Sequence, residues 1–298
     1  MRVSRLALGL IAGGLLLVAD SGLARAPELT PAGISLVAAG DLILLDSRLG
    51  LFHVVLSSGK IRRLVDGFGI YEGVGMGVFT VGSGESIFVN QVPRVSGIGA
   101  LLVQYNLEGK KRAEWKMPPW KGRCSGIVID QQTSTAYVAS TETGEIFRFD
   151  LQKPDSLPKP LAGISQAEFL DSLALDGKRH RVLAADVALG LLFAVDLETG
   201  KSVRLAKGLG EPSALALDAK ADQLFIADAA KGRIWSLDLS DLNAKPRVFA
   251  KDLEEPMALG LASDGTLWVG DSDSRRLFQI SREGKVLREV ELKFLKIE

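Results

Sequence analysis

The chain has 298 residues, with 36 basic side chains, 36 acidic ones and one cysteine. Balanced charge excludes the concentrated positive surface that phosphate backbones require, so no nucleic-acid partner is expected. A single cysteine excludes an internal disulfide, and a chain of this length can bury enough core to fold without one.

The first element reads MRVSRLALGLIAGGLLLVADSGLARA. Arg2 and Arg5 precede an apolar run from Leu6 to Val18, and the small-residue site Ala24-Arg25-Ala26 follows it. This pattern reads as a secretory signal peptide over residues 1–26, cleaved after Ala26 to leave a periplasmic or secreted domain of residues 27–298. The apolar run is 13 residues long, whereas a membrane-crossing helix needs about 20. A retained anchor is the alternative reading of the same residues, and no later segment is apolar enough to span a membrane. Cleavage removes three Arg and one Asp, leaving 33 basic and 35 acidic side chains.

From Gly33 onward one pattern recurs six times: an apolar strand, a polar turn, a second apolar strand, a loop, and two more strands. The second strands end in Asp46, Asn90, Ser140, Asp186, Asp228 and Asp271, at spacings of 44, 50, 46, 42 and 43 residues. Internal periods of this size signal stacked or radial architectures. Strands such as SALALD and QLFIAD are apolar at almost every position, which suits sheets buried on both faces. Four-stranded units this short cannot cover such faces alone, and a closed ring of them can. The expected fold is therefore all-β, a six-bladed β-propeller of four-stranded antiparallel blades. The second copy carries an inserted loop from Gln91 to Gly99. The sixth owns four strands, ending VLREVELKF, so closure need not borrow a strand from the N-terminus; the sequence leaves the latch open.

The stretches LFIADAAKGRIWSLD and LWVGDSDSRRLFQIS resemble the NHL-repeat propellers and the related gluconolactonase, senescence-marker-protein and strictosidine-synthase-like propellers. The resemblance implies that function sits at the channel mouth, where a loop leads into the innermost strand of each blade. The leading residues are Thr30-Pro31-Ala32, Tyr71-Glu72-Gly73, Arg123-Cys124-Ser125, Phe169-Leu170-Asp171, Glu211-Pro212-Ser213 and Glu255-Pro256-Met257. In the gluconolactonase-like enzymes, as the resemblance implies, such positions hold a calcium ion and an Asp acts as base. Here Asp171 fits the base, and Glu72 with Asp171 fits a divalent metal such as calcium. Ca²⁺ wants six to eight oxygen ligands, and Ser125, Ser213 and Met257 stand where acids or amides are wanted.

The four recurring aspartates admit a metal or sugar site, or a simpler role as acceptors for the backbone of their own turns. His53 falls on a strand and His180 in a turn away from the mouth, so neither serves a His-dependent hydrolase. Cys124 reads as a small buried hydrophobe. Trp120 and Arg123 share the loop KMPPWKGRCSG, where Trp120 either caps a blade or stacks on a ligand. The expected function is binding of a small-molecule ligand or a protein partner at a mouth lined by Tyr71, Glu72, Trp120, Arg123, Ser125, Phe169, Asp171, Glu211 and Ser213. The alternatives are a metal-dependent lactonase or esterase using Asp171, and a structural protein working through its outer surface.

Overall fold

Every residue of the LILLD strand, Leu42–Asp46, is buried, and so are five of six in QLFIAD, Gln223–Asp228. A strand with no polar face needs an apolar layer on both sides, and the whole architecture follows from that demand. The computed structural model describes residues 29–37, 41–81, 84–117, 124–154, 156–241 and 243–292. The proposed signal peptide, Trp120 and Arg123 lie outside the described residues.

Blade one comprises β1 (Pro31–Leu36), β2 (Leu42–Asp46), β3 (Gly50–Val55) and β4 (Lys60–Asp66). Blade two has β5 (Tyr71–Val81), β6 (Gly84–Pro93), β7 (Leu101–Asn106) and β8 (Lys111–Lys116). Blade three has β9 (Cys124–Asp130), β10 (Thr135–Ser140), β11 (Glu145–Asp150) and β12 (Lys159–Gly163). Blade four has β13 (Leu170–Asp176), β14 (Arg181–Asp186), β15 (Leu191–Asp196) and β16 (Ser202–Lys207). Blade five has β17 (Pro212–Asp218), β18 (Gln223–Asp228), β19 (Arg233–Asp238) and β20 (Arg247–Ala250). Blade six has β21 (Pro256–Leu261), β22 (Leu267–Asp271), β23 (Arg276–Ile280) and β24 (Val286–Glu291).

Each blade is an antiparallel meander paired in sequence order. The first strands touch one another in the cycle β1, β5, β9, β13, β17, β21 and back to β1, so they surround the axis. The fourth strands face outward, and β16 and β24 are largely exposed. This is the six-bladed propeller that the repeats predict.

The core is distributed over six seams. In β14, Val182 and Ala184 join a cluster with Tyr137, Ile146 and Phe193, while Leu183 and Ala185 join one with Leu215, Leu224 and Ile226. Alternate residues of one strand thus serve opposite neighbours. At the axis the approach is closest where side chains are absent. A Cβ on Gly75 would stand 2.4 Å from the Ser125 carbonyl oxygen, and one on Gly126 would stand 2.8 Å from that of Asp171.

The latch that the sequence left open is a seam like the others. Blade six is built wholly from β21 to β24, and it meets blade one through Leu29, Ile34, Leu44, Phe52, Ala258, Trp268 and Leu277. Two bonds accompany it: Ser272 Oγ donates to the Pro31 carbonyl at 3.4 Å and Arg288 Nη2 to that of Leu56 at 3.1 Å.

Blade two departs from the sequence reading. The segment taken as an inserted loop from Gln91 begins as strand, because Tyr71, Glu72 and Gly73 pair with Pro93, Val92 and Gln91. By register Gln91, and not Asn90, is the equivalent of Asp186 and Asp228, and the β5–β6 hairpin runs two pairs beyond it through Val92 and Pro93.

Trp268 is 2 % exposed in the closing seam. Trp268→Ala is expected to cost about 4 kcal/mol, read as a fall in the urea midpoint, and to speed proteolysis ahead of β1.

Candidate functional site

The loops that lead into the inner strands are held by the recurring aspartates. Asp46 Oδ1 accepts from the Arg48 and Leu49 amides of its own turn at 2.9 and 2.8 Å, and Oδ2 accepts from Thr30 N at 2.8 Å. Asp186 repeats this with Ala188 and Leu189 on one oxygen and Glu168 and Phe169 on the other. Asp271 does so with Ser274 and with Glu254 and Glu255. Asp228 takes Glu211 N and Lys231 N, and adds Arg233 Nε at 2.9 Å and Trp235 Nε1 at 3.2 Å. All four are buried, and a buried carboxylate persists only when donors such as these saturate it. Each ties the second turn of its blade to the leading loop, which makes it a clamp, and with three donors on Asp46 and four on each of the others their carboxylates are taken up by the protein itself.

Just inside the clamp every inner strand carries one extra residue. The register breaks place Ala32, Val74, Ser125, Asp171, Ser213 and Met257 at these bulges. A bulge re-aims a side chain and interrupts pairing, so these six form the natural ring of candidates at the mouth. In blade two the equivalent of Asp171 is Val74, which simple alignment of the repeats misses because the extra strand pairs shift the frame past Glu72.

Asp171 is the one charged member of the ring. Ser125 Oγ donates to its Oδ1 at 2.5 Å across the seam between blades three and four. Burial pushes its carboxyl up to about 6, against the lowering effect of Ser125, although part of the side chain keeps solvent contact. Similar bonds cross the other seams at this level. Asn90 Nδ2 donates to the Ser125 carbonyl, Leu215 N to Ser172 Oγ, Ser213 Oγ to the Pro256 carbonyl, and Gly73 N to that of Ser47. Together with Ser272 and Pro31 they join all six blades in a polar belt.

The remaining expected residues are dispersed. Glu72 turns to Arg48 at 3.6 Å and Arg94 at 3.5 Å, so its charge is already met by two guanidinium groups. Tyr71 lines a cleft on blade two with Gln91 and Tyr105. Phe169 is exposed beside the Asp186 clamp. Cys124 is buried, and burial drives its thiol up to about 12. His53 pairs with Asp41 at 3.1 Å, and His180 closes a one-turn 3₁₀ helix between β13 and β14. The acidic side chains that sequence reasoning passed over are on blade six. The Glu255 carboxyl is raised by burial first and then by Asp273, with Asp271 and Glu211 adding to it.

The calcium site that the resemblance implies needs six to eight oxygens with several anionic donors. The bulge ring offers one carboxylate and two hydroxyls, one of them already donating to Pro256, and Glu72 is engaged by arginines. Among the described residues no three His, Cys, Asp or Glu side chains are grouped to hold a metal ion. This donor set does not fit the ion.

Residues 174–297 match the SMP-30/Gluconolactonase/LRE-like region. The match runs from within β13 to the C-terminus, and so takes in blades five and six with most of four. No curated protein matches the sequence. Among solved structures, a chain of the nidogen/laminin complex superposes with a TM-score of 0.70 at 13% identity, covering 84% of this chain and 93% of that one. Virginiamycin B lyase from Staphylococcus aureus gives 0.64 at 12% identity, covering 88% and 84%. A streptogramin B lyase gives 0.65 at 12% identity, covering 92% and 85%. At such identity the likeness is one of fold, and neighbours that share this scaffold differ in what they do.

Two outcomes are expected of the clamps and of the mouth that they position. Asp271→Ala strands the donors of Glu254, Glu255 and Ser274, and should lower stability by about 3 kcal/mol in urea denaturation. Asp171 behaves oppositely, because its folded pKa lies above its ordinary 3.8. The folded state holds the proton more tightly, so this group lowers stability as pH rises from about 4 to about 6 and keeps it lowered above that. Asp171→Asn should therefore gain on the order of 2 kcal/mol over wild type at pH 7.5 and nothing at pH 3.5, measured by melting across pH.

Proposed function

We propose that the protein is an exported binding propeller that takes a small ligand at the mouth of its ring, with Asp171 as the polar anchor. The observation that carries this reading is the bulge ring, in which one partly exposed carboxylate with a raised pKa stands among alanine, valine, serine and methionine positions. A concave site of mostly apolar lining with few convergent polar groups is the usual form of a ligand pocket. On the leading loops and turn of blades five and six, burial raises the Glu255 carboxyl and the negative charges of Asp273, Asp271 and Glu211 raise it further. A ligand bearing a cationic group would offset those charges, so amines are favoured over acids. Export rests on the N-terminal pattern of residues 1–26. A protein partner would use the same mouth by inserting a basic side chain.

A second reading is supported by one observation. A carboxyl raised to about 6 and bonded to Ser125 has the proton affinity of a general base near neutral pH, and the matched family includes lactonases. In that reading Asp171 takes a proton from attacking water at an ester or lactone carbonyl, without a metal.

The test is a thermal-shift and turnover screen of residues 27–298 against amines, sugars, lactones and phosphotriesters, repeated with Asp171→Ala. The binding reading expects a saturable rise in melting temperature with an amine, lost in the variant, and no product. Lactone or ester turnover that Asp171→Ala abolishes would establish the second reading instead. No shift with any compound would sink the first.

A further inference from the structure

Blade two differs from the other five in a way the mouth does not use. Its β5 and β6 are 11 and 10 residues long, and Gln91 stands where four other blades have their clamp aspartate, paired with Gly73 just before the bulge and with Leu101 of β7. On β7 the residues Leu101, Val103 and Tyr105 share one face by alternation. Blade one covers the inner part of that face, where Val103 and Tyr105 pack with Ile43, Leu51 and Phe68. The outer part stays open as a cleft of about 490 Å³, with Phe68 and Tyr71 on one wall and Lys111, Glu114 and Lys116 of β8 on the other.

The floor of the cleft holds hydrogen-bonding capacity that the protein does not use. Gln91 is 4 % exposed and Tyr105 8 %. Gln91 Nε2 donates to the Tyr105 hydroxyl at 2.9 Å. The Gln91 Oε1 acceptor and the Tyr105 O–H donor have no partner among the described residues. Burial holds the Tyr105 hydroxyl protonated by raising its pKa. Both groups open onto the cleft, so an acceptor and a donor stand side by side at its base where a ligand can reach them in place of water. At the rim Lys111 Nζ lies 2.8 Å from Glu114 Oε2, and Lys116 Nζ lies 3.8 Å from Oε1 of the same residue. Two ammonium groups share one carboxylate, which leaves net positive charge.

We infer that this cleft on blade two is a second ligand site, built for a small aromatic acid carrying a hydroxyl at the end opposite its carboxylate. The ring would lie against Phe68, Tyr71, Leu101 and Val103. Its hydroxyl would donate to Gln91 Oε1 and accept from Tyr105, and its carboxylate would meet Lys111 and Lys116. None of these residues belongs to the bulge ring, so the inference stands or falls independently of the function proposed for the mouth.

The experiment is isothermal titration of the mature chain with 4-hydroxybenzoate, benzoate, 4-hydroxybenzamide and longer hydroxylated aryl carboxylates. One saturable site is expected for a hydroxy acid, with affinity lower by about tenfold when either the hydroxyl or the charge is removed. Lys116→Ala should produce the same loss for the acid and none for the amide. Leu101→Trp, which fills the cleft, should abolish binding while the melting temperature stays near that of wild type. Gln91→Leu distinguishes floor from rim by removing the preference for the hydroxyl. Absence of binding by every acid in the series at millimolar concentration would overturn the inference. So would binding that survives Leu101→Trp in the folded variant.

Discussion

No blade of this protein can satisfy its own residues. Val182 and Ala184 belong to one neighbour and Leu183 and Ala185 to the other, so a single β-strand contributes to two separate cores. The same division runs round the ring, with Phe88 and Trp115 meeting Phe147 in one seam and Phe225 meeting Phe278 and Leu259 in another. An isolated blade would expose both sets to water, at a cost of about 25 cal/mol for each Å². Stability is therefore a property of the closed cycle, and the site at its axis exists only because the cycle closes.

Apolar seams have no means of fixing the loops at their ends, and the buried aspartates supply it. Each carboxylate gathers donors from its own turn and from a leading loop 16 to 18 residues before it in sequence. Non-directional packing sets the distance between blades, while these directional bonds set where each inner strand begins. The polar belt just inside does the same between blades. With Ser125 bonded to Asp171 and Ser213 to Pro256, the mouth is a framework of fixed positions whose polarity is set by which side chain occupies each bulge.

Fold and site were unequally legible in the sequence. The period of the Asp-ended strands, with apolar runs lacking any alternation, was enough for six blades of four strands, because those features state the physical demand directly. The clamps were legible as turn acceptors, though their reach to the leading loops was not, since a contact with Thr30 or Glu254 leaves no mark near Asp46 or Asp271. The position of Asp171 at the start of an inner strand was legible from the repeat, whereas that of Val74 was not, because bulge position depends on pairing with β6. Gln91 read as loop for the same reason: Gln-Val-Pro carries a proline and sits before a Gly-Ser stretch, and only its partnership with Tyr71 to Gly73 makes it strand. The arginines that claim Glu72 come from other turns, which no local pattern reveals.

Among the described residues the closing seam between blades six and one contains no exchanged strand. Ser272 and Pro31 meet across 241 residues of chain, a separation that gives this junction the largest loop-closure entropy of the six. Because every blade comes from one continuous run, that junction has no architectural privilege over the other five. New ends opened between any two blades, with the old ones joined, would leave the same ring with its longest-range joint moved elsewhere.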